Sequence, residues 1–292
     1  MITTRDRREE LRRTLMVLRT LDPPPEETLV CADGCTDDTV EMLRTNFPEC
    51  ILIANETPRG SVFSRDRLLR IAKGEIVISL DDDSYPLAVD FVRRLAELFH
   101  AQHDAAVISF PEIRDDQDVS PTKTAHSPPH PVSAYANCAA AMRRDVYLRS
   151  AGFPLFFGHM YEEPDYALQC YSLGLVVRFE PSLQIRHHVS QVQREPIRRH
   201  HLNARNELWS VLMRCPLPQL LAVALFRVWR QFQYACSEGL EWAVREPCWW
   251  WRALLGVGKC WNMRQPIPWP TYYRWMKLAR VAEGRIGPEV VL

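Results

Sequence analysis

Between residues 27 and 110, four short apolar runs alternate with segments of helical spacing, and this alternation restricts the fold more than any other feature of the chain. The runs are ETLVCAD (27–33), CILIAN (50–55), GEIVISLD (74–81) and AAVISF (105–110). Each is short and rich in aliphatic residues without strict polar alternation, the pattern of a strand buried on both faces. Between them DDTVEMLRTNF (37–47), VFSRDRLLRIAKG (62–74) and LAVDFVRRLAELFHAQ (87–102) repeat apolar residues every three or four positions, as amphipathic helices do. Such an order predicts an α/β fold with a mostly parallel sheet and helices on both faces. Ligands of these folds bind beyond the carboxyl ends of the strands. Asp33 and the cluster Asp81, Asp82 and Asp83 stand at two such ends.

The 292 residues are enough for a substantial core, in one large domain with an appendage or in two domains. Thirty-six Lys and Arg balance 36 Asp and Glu, so no overall field draws the chain to nucleic acid or an anionic membrane, and charge has to be read locally. The nine cysteines are odd in number, scattered and without a CxxC pair, which argues against a disulfide framework and against a zinc site. A reducing, cytoplasmic compartment is expected. The opening MITTRDRREELRRTL is too charged for a signal peptide or anchor, and the sequon at Asn55 is therefore expected to be accidental.

Residues 111–134 are rich in Pro, Asp, Ser and Thr without a period and are expected to be a loop, either a lid over a site or a passive connection. An acidic segment, MYEEPDYALQCYSLG (160–174), and a short β-rich pair, LVVRFEP (175–181) and LQIRHHVS (183–190), follow. From about residue 195 the composition turns helical and rich in tryptophan. LPQLLAVALFRVWRQFQYAC carries an apolar stripe through Leu217, Leu221, Ala224, Val228 and Phe232, interrupted by Arg227 and Arg230, and is a poor membrane span. The stripe is expected to pack on the α/β part. The alternative is an interfacial helix, with CWWWRALLGVGKCW close by to supply headgroup-seeking tryptophans.

The residues able to do chemistry fall in a few segments. SLDDDSYP (79–86) drives an apolar strand into three mutually repelling carboxylates, and a divalent cation is the commonest relief. Asp81 and Asp83 can converge on one hard ion, Mg²⁺ or Mn²⁺, which leaves positions open for phosphates; a solvated turn that caps the next helix is the other reading. In VCADGCTDDT, Asp33 at a strand end beside Gly34 can accept a hydrogen bond from the N–H edge of a uracil or thymine ring, with a helix starting near Thr36 and capped by it or by Asp37. Glu162, Glu163 and Asp165 sit at a helix start, where acids favour the dipole. A carboxylate crowded there is also suited, by its raised pKa, to serve as a general base for a sugar hydroxyl. His187 and His188 face opposite ways on a strand, so at most one joins the aspartates. In and just before RHHLNARNELW, Arg198, Arg199, Arg205 and Asn206 lie on a helical pattern; a guanidinium there can hold a pyrophosphate, or the arginines form a solvated helix face.

In their order and spacing these segments resemble the inverting family 2 glycosyltransferases of GT-A fold, over about residues 3–210. DGCTD stands for the family's DGSTD nucleotide turn; Gly60, Arg65, Asp66 and Gly74 for its G…ARN…A.G helix; Asp81 and Asp83 for its DxD; Glu162, Glu163 and Asp165 for its ED.D segment; and His187 for its late histidine. Asp6 replaces a usual Asn, Asp66 replaces that of ARN, and Glu163 stands where the base aspartate normally sits. ITTRDR is short against the family's first strand, so most of that strand is expected to be missing or to lie upstream. The resemblance implies a Rossmann-like mixed sheet flanked by helices over residues 1–205 and a helical, Trp-rich extension over 206–292. It further implies a nucleotide-sugar site at Thr4, Arg7, Asp33, Arg65, Asp81, Asp82 and Arg205, and a Mg²⁺ or Mn²⁺ ion at Asp83, Asp81 and His187. Glu163, with Glu162 and Asp165, is the implied catalytic group. The expected reaction moves a sugar from a UDP- or dTDP-sugar to a glycan or lipid-linked acceptor, most like the bacterial rhamnosyl- or glucosyltransferases of surface polysaccharide. Rival readings are a nucleotidyltransferase, which would need a Gly-rich loop that the amino terminus lacks, and a non-catalytic glycan-binding scaffold.

Overall fold

The computed structural model describes residues 1–114, 128–188 and 195–278. At its centre lies an eight-stranded sheet. In spatial order its strands are β3 (Ile51–Asn55), β2 (Leu29–Asp33), β1 (Ile2–Thr4), β4 (Ile76–Asp81), β9 (Ala140–Arg143), β6 (Ala105–Ser109), β10 (Val176–Phe179) and β8 (His130–Pro131). The first four are parallel, as the βαβ alternation requires. β9 runs antiparallel to both its neighbours and makes the sheet mixed. A smaller sheet sets β11 (Ile185–His187) between β5 (Ser84–Pro86), antiparallel, and β7 (Glu112–Arg114), parallel.

Strand alternation divides the core into two layers. Val30 packs with α1 (Arg8–Leu18), α2 (Thr39–Asn46) and α4 (Phe91–Ala101) through Leu15, Leu43 and Leu95. Its neighbours Leu29 and Cys31 meet the other face, with α3 (Ser61–Ile71), α5 (Arg144–Arg149) and α6 (Glu162–Ser172) contributing Val62, Tyr147 and Tyr166. The register Thr4↔Ala32 and Thr3↔Asp81 brings the carboxyl ends of β1, β2 and β4 to one edge. Thr4, Asp33 and Asp81 therefore meet there, although long stretches of sequence separate them.

Several expectations change. β3 is not covered on both faces: it is the edge strand, and Ile51 is 40% exposed. α2 begins at Thr39, not near Thr36, because Asp6 Oδ1 takes the Thr36 and Asp37 N–H groups while Asp37 Oδ1 takes that of Thr39. The stretch 111–134 is not wholly loop, since it contains β7 and β8; residues 115–127, the middle of the expected lid, lie outside the described residues. The segments read as a β-rich pair do not pair with each other, for β10 joins the large sheet and β11 the small one.

The carboxyl-terminal part is helical: α7 (Pro196–Arg214), α8 (Leu220–Glu238), α9 (Leu240–Leu255), α10 (Val257–Asn262) and α11 (Trp269–Met276). None of the described helices is long and apolar enough to cross a membrane. α8 is rotated from the expected orientation. It buries Leu220, Arg227, Gln231 and Ala235, while Leu221, Leu225 and Trp229 face outward. The cause is Glu207 of α7, whose fully buried carboxylate is reached by Arg230 at 2.6 Å, by Arg227 at 3.4 Å and by the Gln231 amide. A buried charge left unpaired costs more than an exposed leucine, so the polar side of α8 turns inward.

Candidate active site

The three aspartates are held by different sets of partners, with Arg7 shared between Asp82 and Asp83. Asp81, at the end of β4 and the most exposed of them, pairs with Arg65 of α3. Asp82 is buried: its Oδ2 accepts the Thr4 hydroxyl at 2.8 Å and its Oδ1 lies 3.3 Å from Arg7. Burial pushes its carboxyl up to about 7, against the pull of Arg7. Asp83 lies between Arg7 and His187 Nε2, the latter at 3.3 Å. Burial works against the Asp83 charge, but His187 and Arg7 outweigh it and hold the carboxyl below the ordinary range.

The small sheet builds the other half of this pocket. The β11 register sets His187 beside Ser84 on one side and Arg114 on the other. His187 faces Asp83, whereas His188 points to the Tyr85 hydroxyl at 2.8 Å, the opposite orientation expected of adjacent strand residues. His187 Nδ1 lies 2.8 Å from Glu112 Oε2. Desolvation lowers the imidazole pKa, but hydrogen bonds to Asp83 and Glu112 dominate and raise it to about 10. Neither Glu112 nor Cys138 stands out in the sequence. One lies in a segment read as loop, the other in a small-residue stretch.

The donor set fits a divalent cation. Among the described residues, one ligand atom each from Asp81, Cys138 and His187 lies within 4.8 Å of the others, and Asp83 abuts His187. Burial holds the Cys138 thiol pKa far above its ordinary value, leaving carboxylate oxygen as the ready donor and the His187 nitrogen as a donor once an ion displaces its proton. These are the ligands that Mn²⁺ and Mg²⁺ sites use.

Asp33 has both oxygens engaged. Oδ1 accepts the Asn55 amide at 2.7 Å and the Arg59 N–H at 2.9 Å, and Oδ2 the Gly60 N–H at 2.8 Å. It thereby ties the end of β2 to the turn before α3, the helix that carries Arg65. Gly34 is required beside it: its φ is +66° and a Cβ would fall 2.5 Å from the Pro58 nitrogen.

Arg65 joins the aspartate pocket to the acidic helix, with Glu162 Oε1 3.8 Å from its guanidinium. Glu162 is buried, accepts Asn137 Nδ2 at 3.3 Å and keeps Oε2 without a hydrogen-bond partner. Glu163, half-buried next to it, has its carboxyl pushed well above the usual range by desolvation and by the Glu162 charge. Asp165, expected with them, is not part of the group. It is fully buried on the α7 side, where Ser210 Oγ at 2.7 Å, Arg214 Nη2 at 3.0 Å and Gln169 Nε2 at 2.8 Å bind it. Arg205, expected at a pyrophosphate, instead donates to the Phe157 carbonyl at 3.0 Å and lies over the Trp209 ring.

The loop before α6 is held by Asn206, which the sequence places on the helix with Arg205 without giving it a role. Met160 and Tyr161 both have left-handed backbone, φ 73° and 70°. Asn206 Nδ2 lies 2.8 Å from the carbonyl oxygens of His159 and Met160 and 3.3 Å from that of Phe157. α7 thus clamps the segment that delivers Glu162 and Glu163.

A mixed α/β sheet with a carboxylate and imidazole pocket at the ends of its parallel strands defines the GT-A class of nucleotide-sugar transferases. The sequence agrees: residues 1–160 match the glycosyl transferase family 2 model, and the chain belongs to that family. Among solved structures it is similar to the mannosyltransferase PcManGT from Pyrobaculum calidifontis, in complex with GDP-Man and Mn²⁺ (19% identity, 94% of this chain, 81% of that one, TM-score 0.59). It is similar also to S. aureus TarS 1–349 in complex with UDP (18%, 85% and 76%, TM-score 0.62) and to GalNAc-T7 with UDP, GalNAc and Mn²⁺ (13%, 74% and 47%, TM-score 0.60). At these identities the likeness is one of fold. No curated protein matches the chain.

Proposed function

We propose that the protein is an inverting glycosyltransferase that moves a sugar from a UDP- or dTDP-sugar to a hydroxyl of a glycan or lipid-linked acceptor. The observation that carries the reading is the link through Arg65, which contacts both Asp81 of the aspartate pocket and Glu162 beside the raised carboxyl of Glu163. A group that holds a proton strongly sits next to the place where the leaving diphosphate would lie. In the reaction, Glu163 takes the proton of the acceptor hydroxyl. The oxygen attacks the anomeric carbon from the face opposite the diphosphate, the bond to the diphosphate oxygen breaks, and that oxygen keeps the electron pair. Inversion follows from the single displacement. Glu162 sustains the basicity of Glu163 by its charge, and Arg65 and Arg7 oppose the negative charge of the pocket. A Mg²⁺ or Mn²⁺ ion held by Asp83, Asp81 and His187 would neutralise charge on the departing diphosphate. The similar proteins that carry GDP-Man, UDP and Mn²⁺ support a nucleotide-sugar donor and a divalent metal. A cytoplasmic enzyme resting on a membrane through α8–α10 completes the reading.

The test is release of nucleoside diphosphate from UDP-, dTDP- and GDP-sugars with Mn²⁺ and a panel of glycan acceptors. Metal-dependent release is expected from one donor. Asp83→Ala should abolish it, and Glu163→Gln should reduce kcat by roughly 10²–10⁴ with donor binding retained. If Glu162→Gln abolishes turnover while Glu163→Gln does not, the base is Glu162. A protein that binds no nucleotide in the presence of Mn²⁺ would sink the transferase reading in favour of the scaffold.

A further inference from the structure

We infer that the aspartate pocket has a second coordination mode, in which the Cys138 thiolate joins Asp81, Asp83 and His187 on a thiophilic divalent ion of the zinc class. Cys138 lies on the short 3-10 turn Asn137–Ala139, ahead of a run of buried alanines, where a small apolar residue would suffice for packing. Its sulfur instead lies among metal-binding atoms: one ligand atom each from Asp81, Cys138 and His187 falls within 4.8 Å of the others. Asp83 Oδ1, 3.3 Å from His187 Nε2, supplies a fourth donor. A tetrahedral zinc ion takes four such ligands from Cys, His and Asp. No spacing motif announces the set, because β4, the turn after it, the 3-10 turn and β11 each contribute one member.

One buried serine holds the three clustered residues together. Ser84 Oγ accepts the Asp81 N–H at 2.8 Å and donates to the Cys138 carbonyl at 2.9 Å, and the register of β5 with β11 sets Ser84 opposite His187. Ser84 has no exposed surface. The backbones that carry the donors are therefore fixed before an ion arrives, as a selective metal site requires. The Asp81 side chain, 35% exposed, leaves the way in, with Cys138 and His187 buried behind it. Hardness separates the two modes. Mg²⁺ and Mn²⁺ take oxygen and imidazole donors, leave the thiol protonated and keep positions open for phosphates. A zinc-class ion forms a metal–sulfur bond, and the protons of Cys138 and His187 pass to solvent. Four protein ligands close the shell of that ion, so it would take the place of Mn²⁺ and exclude a diphosphate. That inhibition rests on the proposed function, whereas the coordination does not.

The experiment is titration of the full chain with Co²⁺, a spectroscopic stand-in for zinc, in the absence of donor and acceptor, so that its failure leaves the transferase reading standing. A sulfur-to-cobalt charge-transfer band in the near ultraviolet is expected, together with the intense visible bands of a tetrahedral site. Zn²⁺ should bleach these bands and, in electron paramagnetic resonance, displace bound Mn²⁺ ion for ion. Cys138→Ser and Cys138→Ala should remove the charge-transfer band and weaken Zn²⁺ binding at least about 100-fold, more than the loss of an outer-shell partner costs. Both variants should still bind Mn²⁺, which reports that the pocket has folded. Cys35→Ser should keep the band and is the control for the other cluster of the described residues, Asp6, Cys35 and Asp37. Co²⁺ bound without a charge-transfer band, a band that survives Cys138→Ser, or Zn²⁺ and Mn²⁺ bound together overturns the inference. So does an equal loss of Mn²⁺ and Zn²⁺ binding in both Cys138 variants, since the cysteine would then only support the pocket.

Discussion

Asn206 offers the sharpest test of how α7 serves the acidic helix. Asn206→Ala removes the donors that satisfy the His159 and Met160 carbonyls at 2.8 Å, in a residue with no exposed surface. His159 is exposed and Met160 half-buried, so water can take the place of the lost donors; each bond is worth about 0.5–1.5 kcal/mol, and a loss of roughly 1–3 kcal/mol is expected. Met160 and Tyr161 add to the effect, because left-handed backbone at a non-glycine residue costs about 1–2 kcal/mol and persists only where surroundings enforce it. With the clamp gone, that strain favours release of the loop. At roughly 2–4 °C per kcal/mol, the fall in Tm should be about 2–12 °C. Below the transition the aspartate pocket, built from β1, β4 and β11, is untouched. Binding of a nucleoside diphosphate with Mn²⁺ should therefore be near wild type in calorimetry, while kcat falls at least tenfold as Glu162 and Glu163 lose their position. Wild-type kcat and Tm in Asn206→Ala would refute the clamp, and an equal loss of nucleotide binding would show that α7 supports the whole pocket instead.

Three further outcomes follow from other contacts. Asp165→Ala strands Arg214 in a site without solvent and should cost about 3–5 kcal/mol in urea denaturation, whereas the folded fraction should keep its kcat; loss of turnover without loss of stability would return Asp165 to the catalytic group. Glu112→Gln and Glu112→Ala should weaken Mn²⁺ binding by about 10–100-fold in electron paramagnetic resonance titration, since the carboxylate fixes the His187 ring through Nδ1, with Gln the milder because it can still accept that hydrogen bond. The pH profile of kcat should fall on the acid side at a pH well above the ordinary carboxylate range. The reason is that Glu163 must be deprotonated to act and its proton is held by burial and by Glu162. A limb near the normal glutamate value, or one unmoved by Glu162→Gln, would contradict that.

The order of strand ends, turns and acids along the chain was enough to announce the fold, because a βαβ fold places its ligand residues at successive strand ends. Asp33, Asp81, Asp83 and His187 were all legible in this way. Glu112 was not, and Asn206 was visible on its helix but without its role, for these roles rest on contacts across 75 and 46 residues, and a loop glutamate or a helical asparagine carries no local signal of its partner. Asp165 misled for the converse reason: acids in a helix's first turn look alike in sequence, and only packing against α7 separates it from Glu162 and Glu163.

The sequence by itself thus determined the α/β class, the pocket at the strand ends and the family, through residue types and spacings that local geometry turns into elements. The tertiary structure alone decided which acid faces the pocket and which the core, and which side of α8 meets solvent. Those choices depend on pairing buried charges, Asp165 with Arg214 and Glu207 with Arg227 and Arg230, between segments that become neighbours only on folding.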